Sequence, residues 1–424
     1  MTMRPFADTI TLDEARRLIR EAIAPLVRHE AIALDMADGR VLAEDVVAPM
    51  DQPPFDRSAM DGYAVRAADV AGATRGVPKV LRLIGRAYTA EPFAGTLAPG
   101  DCVEIATGAP IPEGADAVVM VEDTGRPGTA DWPAPAWLDS GEQVLVLAEA
   151  RAGQHAIRRG SDMRADDVVL RAGQAMTPSR IGALAAIGRD RVRVVGKPIV
   201  AIFPTGNEVV RQGQPLPLAS VYDVNSFTVA ALVARHGGVA ERHAPVPDTI
   251  EAVATALDAA AGADIVVLGG GSSVGERDVV IDAVAARGDV IFHGIAVKPG
   301  KPTLFARIAR PAPLGGIQLV FGMPGNPTSC LSQAHVLLMP ALRQLAGLPP
   351  IDPPRVRRRL ASAVGSPANR HQFLPVRIEG DLAVPTFKGS GEITSLSQAD
   401  GYVEIPVGVA RLDAGTDVEV VGYE

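Results

Sequence analysis

The sequence predicts a multidomain α/β plus β protein, organised around a doubly wound, mainly parallel α/β domain. Three observations carry this. Across residues 196–345, short apolar runs alternate with capped helical segments, the pattern of a parallel sheet covered on both faces. Residues 46–150 are instead rich in proline and glycine, with short apolar runs and no helical period, which predicts a β-rich lobe. Residues 350–424 read as short strands with Gly/Asp turns, which predicts a small C-terminal β-barrel. Residues 1–45 and 151–195 are left as a discontinuous, N-terminal linking domain.

In order, Thr11 and Glu14 stand at capping-box spacing and open an amphipathic helix expected over residues 11–29, with Pro25 bending or ending it. In the lobe, Asp61-Gly62 is a turn signal, Tyr63 starts a strand, and Asp56 and Asp61 fall on an irregular, partly exposed segment. Thr107 to Pro110 is a loop between strands, and Trp132 and Trp137 mark a surface loop. Arg158 and Arg159 beside Asp162 would either clamp a phosphate or form an exposed charged turn. A short helix over residues 178–188 leads to a strand at 192–195.

The α/β domain begins with the strand PIVAIF. Its exit loop is TGNE. Asp223 then caps a helix, and Asp248 with Glu251 forms a capping box for the next. Residues 265–268 are a fully apolar, β-branched strand that exits into GGGSSVGERD, with a helix from Asp278. Residues 290–298 are one strand exiting into KPGKP. QLVFG is another, exiting into MPGNP, where Asn326 caps a helix that has Pro327 at its first position.

Composition bounds the function. The 424 residues have a net charge of 41 − 49 = −8, which argues against a general nucleic-acid binder. The arginine-rich run at 355–359 reads as a solvated strand edge. Two cysteines make neither a disulfide framework nor a metal knuckle, and scattered histidines give no zinc pattern. With no apolar signal region and no long apolar run, a cytoplasmic protein is expected. Gly269, Gly271 and Gly275 miss the dinucleotide fingerprint by one residue, and no Walker loop occurs.

Ligands bind open α/β sheets at the carboxyl ends of the strands, where four exit loops of this domain carry special residues. Lys298 and Lys301 are cations held between prolines, and the glycines free backbone N–H groups for an anion. Glu208 and Asp278 are hard oxygen ligands suited to Mg²⁺. Together they predict phosphoryl, pyrophosphate or nucleotidyl chemistry on a phosphate ester or oxyanion.

FDRSAMDGYAV, TGAP followed by EGADAVV, RRGSD, TGNE, GGGSSVGERD, KPGKP and MPGNP, in this order, resemble the molybdopterin molybdenumtransferase (MoeA) family, which includes the gephyrin E domain. The resemblance implies an elongated homodimer of four-domain subunits that hydrolyses adenylated molybdopterin and places molybdate on its dithiolene. AMP is released, Mg²⁺ is required, and a separate molybdopterin adenylyltransferase supplies the substrate. The active cleft would lie between the α/β domain of one subunit and the β-rich lobe of the other. Carried over by motif, Asp61, Thr107, Asp162, Glu208 and Asp278 match acidic or hydroxyl positions of the family's site, with Glu208 and Asp278 as metal ligands. Lys298 and Lys301 match oxyanion-holding lysines, and Ser329, Arg370 and Ser390 match groups that complete the pocket. Gly206, Gly270, Gly271, Ser272, Ser273, Gly275, Pro302, Gly325 and Asn326 are the matching backbone and loop positions of the substrate cradle.

This sequence departs from the family where an acidic residue usually precedes Glu208 and Asn207 stands instead. It also has Gly269 or Gly270 where a serine often begins the glycine loop. Alternatives are a tungstate-preferring paralogue, a gephyrin-like scaffold, and a nucleotide or sugar pyrophosphatase.

Overall fold

The computed structural model describes residues 9–127, 142–270 and 279–423. The tryptophan loop lies outside them. Helix α1 runs over Leu12–Ala22, with the Thr11 hydroxyl accepting the Glu14 N–H. It ends seven residues short of the expectation, at Ile23 in extended conformation. Pro25 bars a helical residue 24, and the chain turns into the strand His29–Ala33. The Glu14 carboxylate pairs with Arg17 rather than closing the capping box.

The α/β sheet contains β1 (Ile199–Pro204), β2 (Val239–Arg242), β3 (Ile265–Gly269), β4 (Gly288–His293), β5 (Leu304–Ala309) and β6 (Ile317–Met323). Its spatial order is β2-β1-β3-β6-β5-β4; the first four are mutually parallel, and β5 runs antiparallel to both neighbours. Alternation fixes the layers. Val200, Ile202, Ile265 and Val267 pack on one face with α1, α2 (Asn225–Arg235) and the helices after β6. Ala201, Phe203, Val266 and Leu268 pack on the other with α3 (Ile250–Ala259) and α4 (Val279–Ala285). Thus α1 buries its apolar stripe on the α/β sheet.

Two expectations change here. Residues 290–298 are two strands, because Gly294 breaks the run: β4 stays in the α/β sheet, and Val297–Lys298 pairs in parallel with His371–Gln372 of the C-terminal sheet. β2, at one edge, and β5, next to the opposite edge, are additional strands of mixed polarity. After β6 come α5 (Pro327–Gln333), a π-turn at Ala334–Leu338, and α6 (Met339–Leu345).

The lobe is a six-stranded sheet from Gly62–Val65 to Gln143–Val146. It is joined to the rest by paired two-stranded ladders, among them His29–Ala33 against Arg191–Val195 and Arg57–Ser58 against Ala156–Ile157. The C-terminal sheet closes on itself through pairing of His371–Glu379 with Gly401–Ile405. Among the described residues no helix is long and apolar enough to cross a membrane. Cys102 and Cys330 are buried free thiols, and burial pushes both up to about 12, so neither is a nucleophile at neutral pH.

Candidate active site

A cleft of about 1070 Å³ opens where β1, β3 and β6 end. Its first wall is the loop after β1. Thr205 is fully buried and donates its N–H to the Gly269 carbonyl at 2.8 Å. Gly206 has φ +132, and a Cβ there would stand 2.6 Å from the Glu208 carboxylate. The absent side chain lets Glu208 fold back along the cleft rim, which it lines. Gly270 has φ +123, and its Cβ would stand 2.1 Å from the Thr205 carbonyl, so only glycine fits there. Beyond it the structure describes nothing until Val279. Gly271, Ser272, Ser273, Gly275 and Asp278 therefore lie outside the described residues.

The second wall is cationic. Lys298, Lys301 and Pro302 line the cleft, with the Lys298 ammonium 5.7 Å from the Phe387 ring centroid. Arg370 and Ser390 of the C-terminal domain line it too. Parallel pairing of Lys298 with Gln372 brings the barrel edge here, and Thr328 ties in the opposite side by donating its N–H to the Ser390 carbonyl at 3.1 Å. The floor carries Gly325, Asn326 and Ser329. Asn326 occupies the N-cap position of α5, but its side chain makes no capping bond, contrary to expectation. The Asn225 amide donates to the Gly325 carbonyl at 2.8 Å and holds this loop against α2, while its Oδ1 is buried without a partner.

The residue that motif reading overlooked is Asp248. The helix it was expected to cap is capped instead by Thr249, whose hydroxyl accepts the Ala252 N–H at 3.2 Å. Asp248 is thereby left over. One of its oxygens is buried with no hydrogen-bond partner, and burial followed by the Glu208 charge holds its carboxyl above the ordinary aspartate range. The available signal was two cap-type residues in succession at a single helix start. An orphaned carboxylate oxygen beside a second carboxylate fits a hard divalent cation. Among the described residues no group of three metal-capable side chains occurs.

Three expected site residues stand apart from the cleft within one chain. Asp61 lines a depression of about 450 Å³ in the lobe, and both the N–H and the hydroxyl of Thr107 donate to its Oδ1, at 2.7 and 2.9 Å. These two bonds, the backbone one first, hold the Asp61 carboxyl below its ordinary range. Asp162 lines another depression, of about 750 Å³, with Asp166 and Asp167. Arg158 and Arg159 are paired to Asp56 and Asp51, each at 2.6 Å, so RRGSD forms a charged turn rather than a phosphate clamp.

Fold and cleft define a multidomain α/β protein whose sheet edge carries a cleft lined by Lys298, Lys301 and Arg370 together with Glu208. Three family descriptions match along the chain: MoeA N-terminal region (domain I and II) over residues 10–188, probable molybdopterin binding domain over 201–344, and MoeA C-terminal region (domain IV) over 357–423. Molybdopterin molybdenumtransferase 2 of Mycobacterium tuberculosis is 34% identical over 97% of this chain and 98% of its own length. The Haemophilus influenzae molybdopterin molybdenumtransferase is 30% identical over the same shares. The crystal structure of a molybdopterin biosynthesis MoeA protein from Pyrococcus horikosii superposes with a TM-score of 0.81 at 34% identity, covering 98% of this chain and 100% of that one. The chain belongs to the molybdopterin molybdenumtransferase family, a family of transferases.

Proposed function

We propose that this protein inserts molybdate into adenylated molybdopterin, with Mg²⁺-dependent release of AMP, and so completes the molybdenum cofactor. The observation that supports this reading is the convergence of Lys298, Lys301, Arg370 and Glu208 around one cleft, with Asp248 electrostatically coupled to Glu208. The cationic wall holds the tetrahedral oxyanion, and the Ser329 and Ser390 hydroxyls donate to its oxygens. Glu208 and Asp248, with Asp278, would hold Mg²⁺, which would supply electrophilic stabilisation of phosphate charge. Water attacks the adenylate phosphorus, the bond to molybdopterin breaks and AMP leaves. The freed dithiol then binds molybdenum through both sulfurs, and its two protons leave with one molybdate oxygen as water.

Asp61, Thr107 and Asp162 enter the cleft from the second subunit of a homodimer. Their exposure supports this, as do exposed Met50, Phe55 and Met60 on the same segment as Asp61. A separate adenylyltransferase supplies the substrate. The test is AMP release from adenylated molybdopterin with Mg²⁺, with and without molybdate, and again with tungstate. Molybdate-dependent release lost in Lys298→Ala is the expected result. AMP release from unrelated dinucleotides, or no release at all, would overturn the reading.

A further inference from the structure

The loop carrying Lys298 and Lys301 has its backbone fastened at three successive carbonyls. The Lys301 carbonyl accepts the N–H groups of Ile295 and Thr303, both at 2.9 Å. The Gly300 carbonyl accepts the buried Thr303 hydroxyl at 2.8 Å. The Pro299 carbonyl accepts the side-chain amide of Gln333 at 2.9 Å. The first two fastenings are local. The third comes from the last residue of α5, next to the π-turn, and fixes the loop to the helix behind it.

Gln333 is 0% exposed, and its Oε1 has no hydrogen-bond partner in the structure, so its amide makes a single directed bond. Gly300, at φ +108, lies directly on it: a Cβ there would stand 2.5 Å from the Gln333 Cγ and Nε2. Backbone and amide are thus in contact with no slack between the lysines. With the carbonyls turned into the protein, the loop offers the cleft its ammonium groups rather than negative dipoles, which is the arrangement an oxyanion needs.

We propose that Gln333 is a positioning residue that sets the oxyanion affinity of this loop. The inference rests on reading Lys298 and Lys301 as oxyanion ligands. Gln333→Met keeps the length of the side chain and removes the donor. Molybdate is the probe, with its dissociation constant measured calorimetrically at fixed ionic strength and AMP binding measured as internal control. The expected result is molybdate affinity weakened about tenfold, the worth of one buried hydrogen bond, with AMP affinity retained. In turnover, KM for molybdate rises by a similar factor while kcat holds.

Unchanged molybdate affinity overturns the proposal, as does parallel loss of both affinities, which marks a purely structural role. Should Gln333→Met fail to fold, Gly300→Ala pushes the same amide from the loop side and should give the same selective loss. A wild type that releases no AMP, but whose molybdate affinity still depends on Gln333, refutes the proposed function and leaves the positioning role standing.

Discussion

The side-chain oxygen of Asn207 accepts the backbone N–H of Asp248 at 3.3 Å. The loop after β1 and the start of α3 are thereby joined across the acidic rim, and Glu208, the next residue, acts electrostatically on the Asp248 carboxyl. Asn207 is thus a neutral tether on this rim. A third charge beside two carboxylates would add repulsion, and asparagine supplies the acceptor without it.

From this pair, Asp248→Asn should raise the melting temperature at neutral pH while reducing Mg²⁺-dependent turnover by on the order of a hundredfold. The folded state raises the Asp248 pKa, so its contribution is fully present below the unfolded value of about 3.9 and is lost as pH rises through the folded value. The stability gap between variant and wild type should therefore close on acidification, and Mg²⁺ should stabilise the wild type more than the variant. Thermal melts at several pH values, with and without Mg²⁺, check all three. Equal melting temperatures at neutral pH would remove the argument.

Mixing two inactive variants tests whether Asp61 serves the partner's cleft. Asp61→Ala leaves the α/β wall intact, and Lys298→Ala leaves the lobe intact. After random exchange of subunits half the dimers are mixed, and each mixed dimer has one native cleft of two, so about a quarter of wild-type turnover should return. No recovery after demonstrated exchange would place Asp61 and Lys298 at the same cleft of one chain or in no shared cleft.

What could be read from the sequence follows from how local each signal is. The strand at Ile265–Gly269 is legible because both of its faces are buried and every residue before the glycine is apolar. β5 is not, since LFARIA puts Arg307 and a half-polar outer half into a strand protected mainly by its antiparallel neighbours. The Lys298–Gln372 pairing joins residues far apart in the chain, and no spacing rule encodes it. The cap of α3 was ambiguous because Asp248 and Thr249 are both capping side chains in succession, and the structure gives the role to Thr249.

Asn225→Asp should weaken substrate binding with little change in the fold. The wild-type amide donates to the Gly325 carbonyl, whereas a carboxylate would point an acceptor at an acceptor and add a charge facing an anionic ligand. A loss of roughly 1–3 kcal/mol in binding is expected, read as a rise in KM for adenylated molybdopterin. Asn225→Ala, which removes the tether without the charge, should lose less. If the two variants bind alike, the repulsion is not felt at the cleft.

The remaining prediction concerns the end of the sheet away from the cleft. Asp264, 1% exposed, accepts from the Arg28 guanidinium at 3.0 Å, the Arg310 guanidinium at 2.7 Å and the Ile199 N–H at 2.8 Å. Burial alone would raise its pKa, but the two arginines and the backbone donor outweigh it and hold the carboxyl below its ordinary range. A depressed pKa contributes stability above the unfolded value and loses it as pH falls through the folded one, so this cluster supports the fold at neutral pH and weakens in strong acid. Asp264→Asn leaves Arg310, which is largely buried, facing no charge, and should cost roughly 3 kcal/mol at pH 7. The deficit should shrink in acid, as pH falls below the ordinary aspartate value and the wild-type carboxyl protonates. Because the cluster fastens the segment before the first ladder to β1 and β5, the loss should appear as cooperative destabilisation of the α/β domain in denaturant melts. A variant with unchanged midpoint at neutral pH would mean that the arginines are satisfied by solvent and the carbonyls of Lys197 and Ala263, to which they also donate.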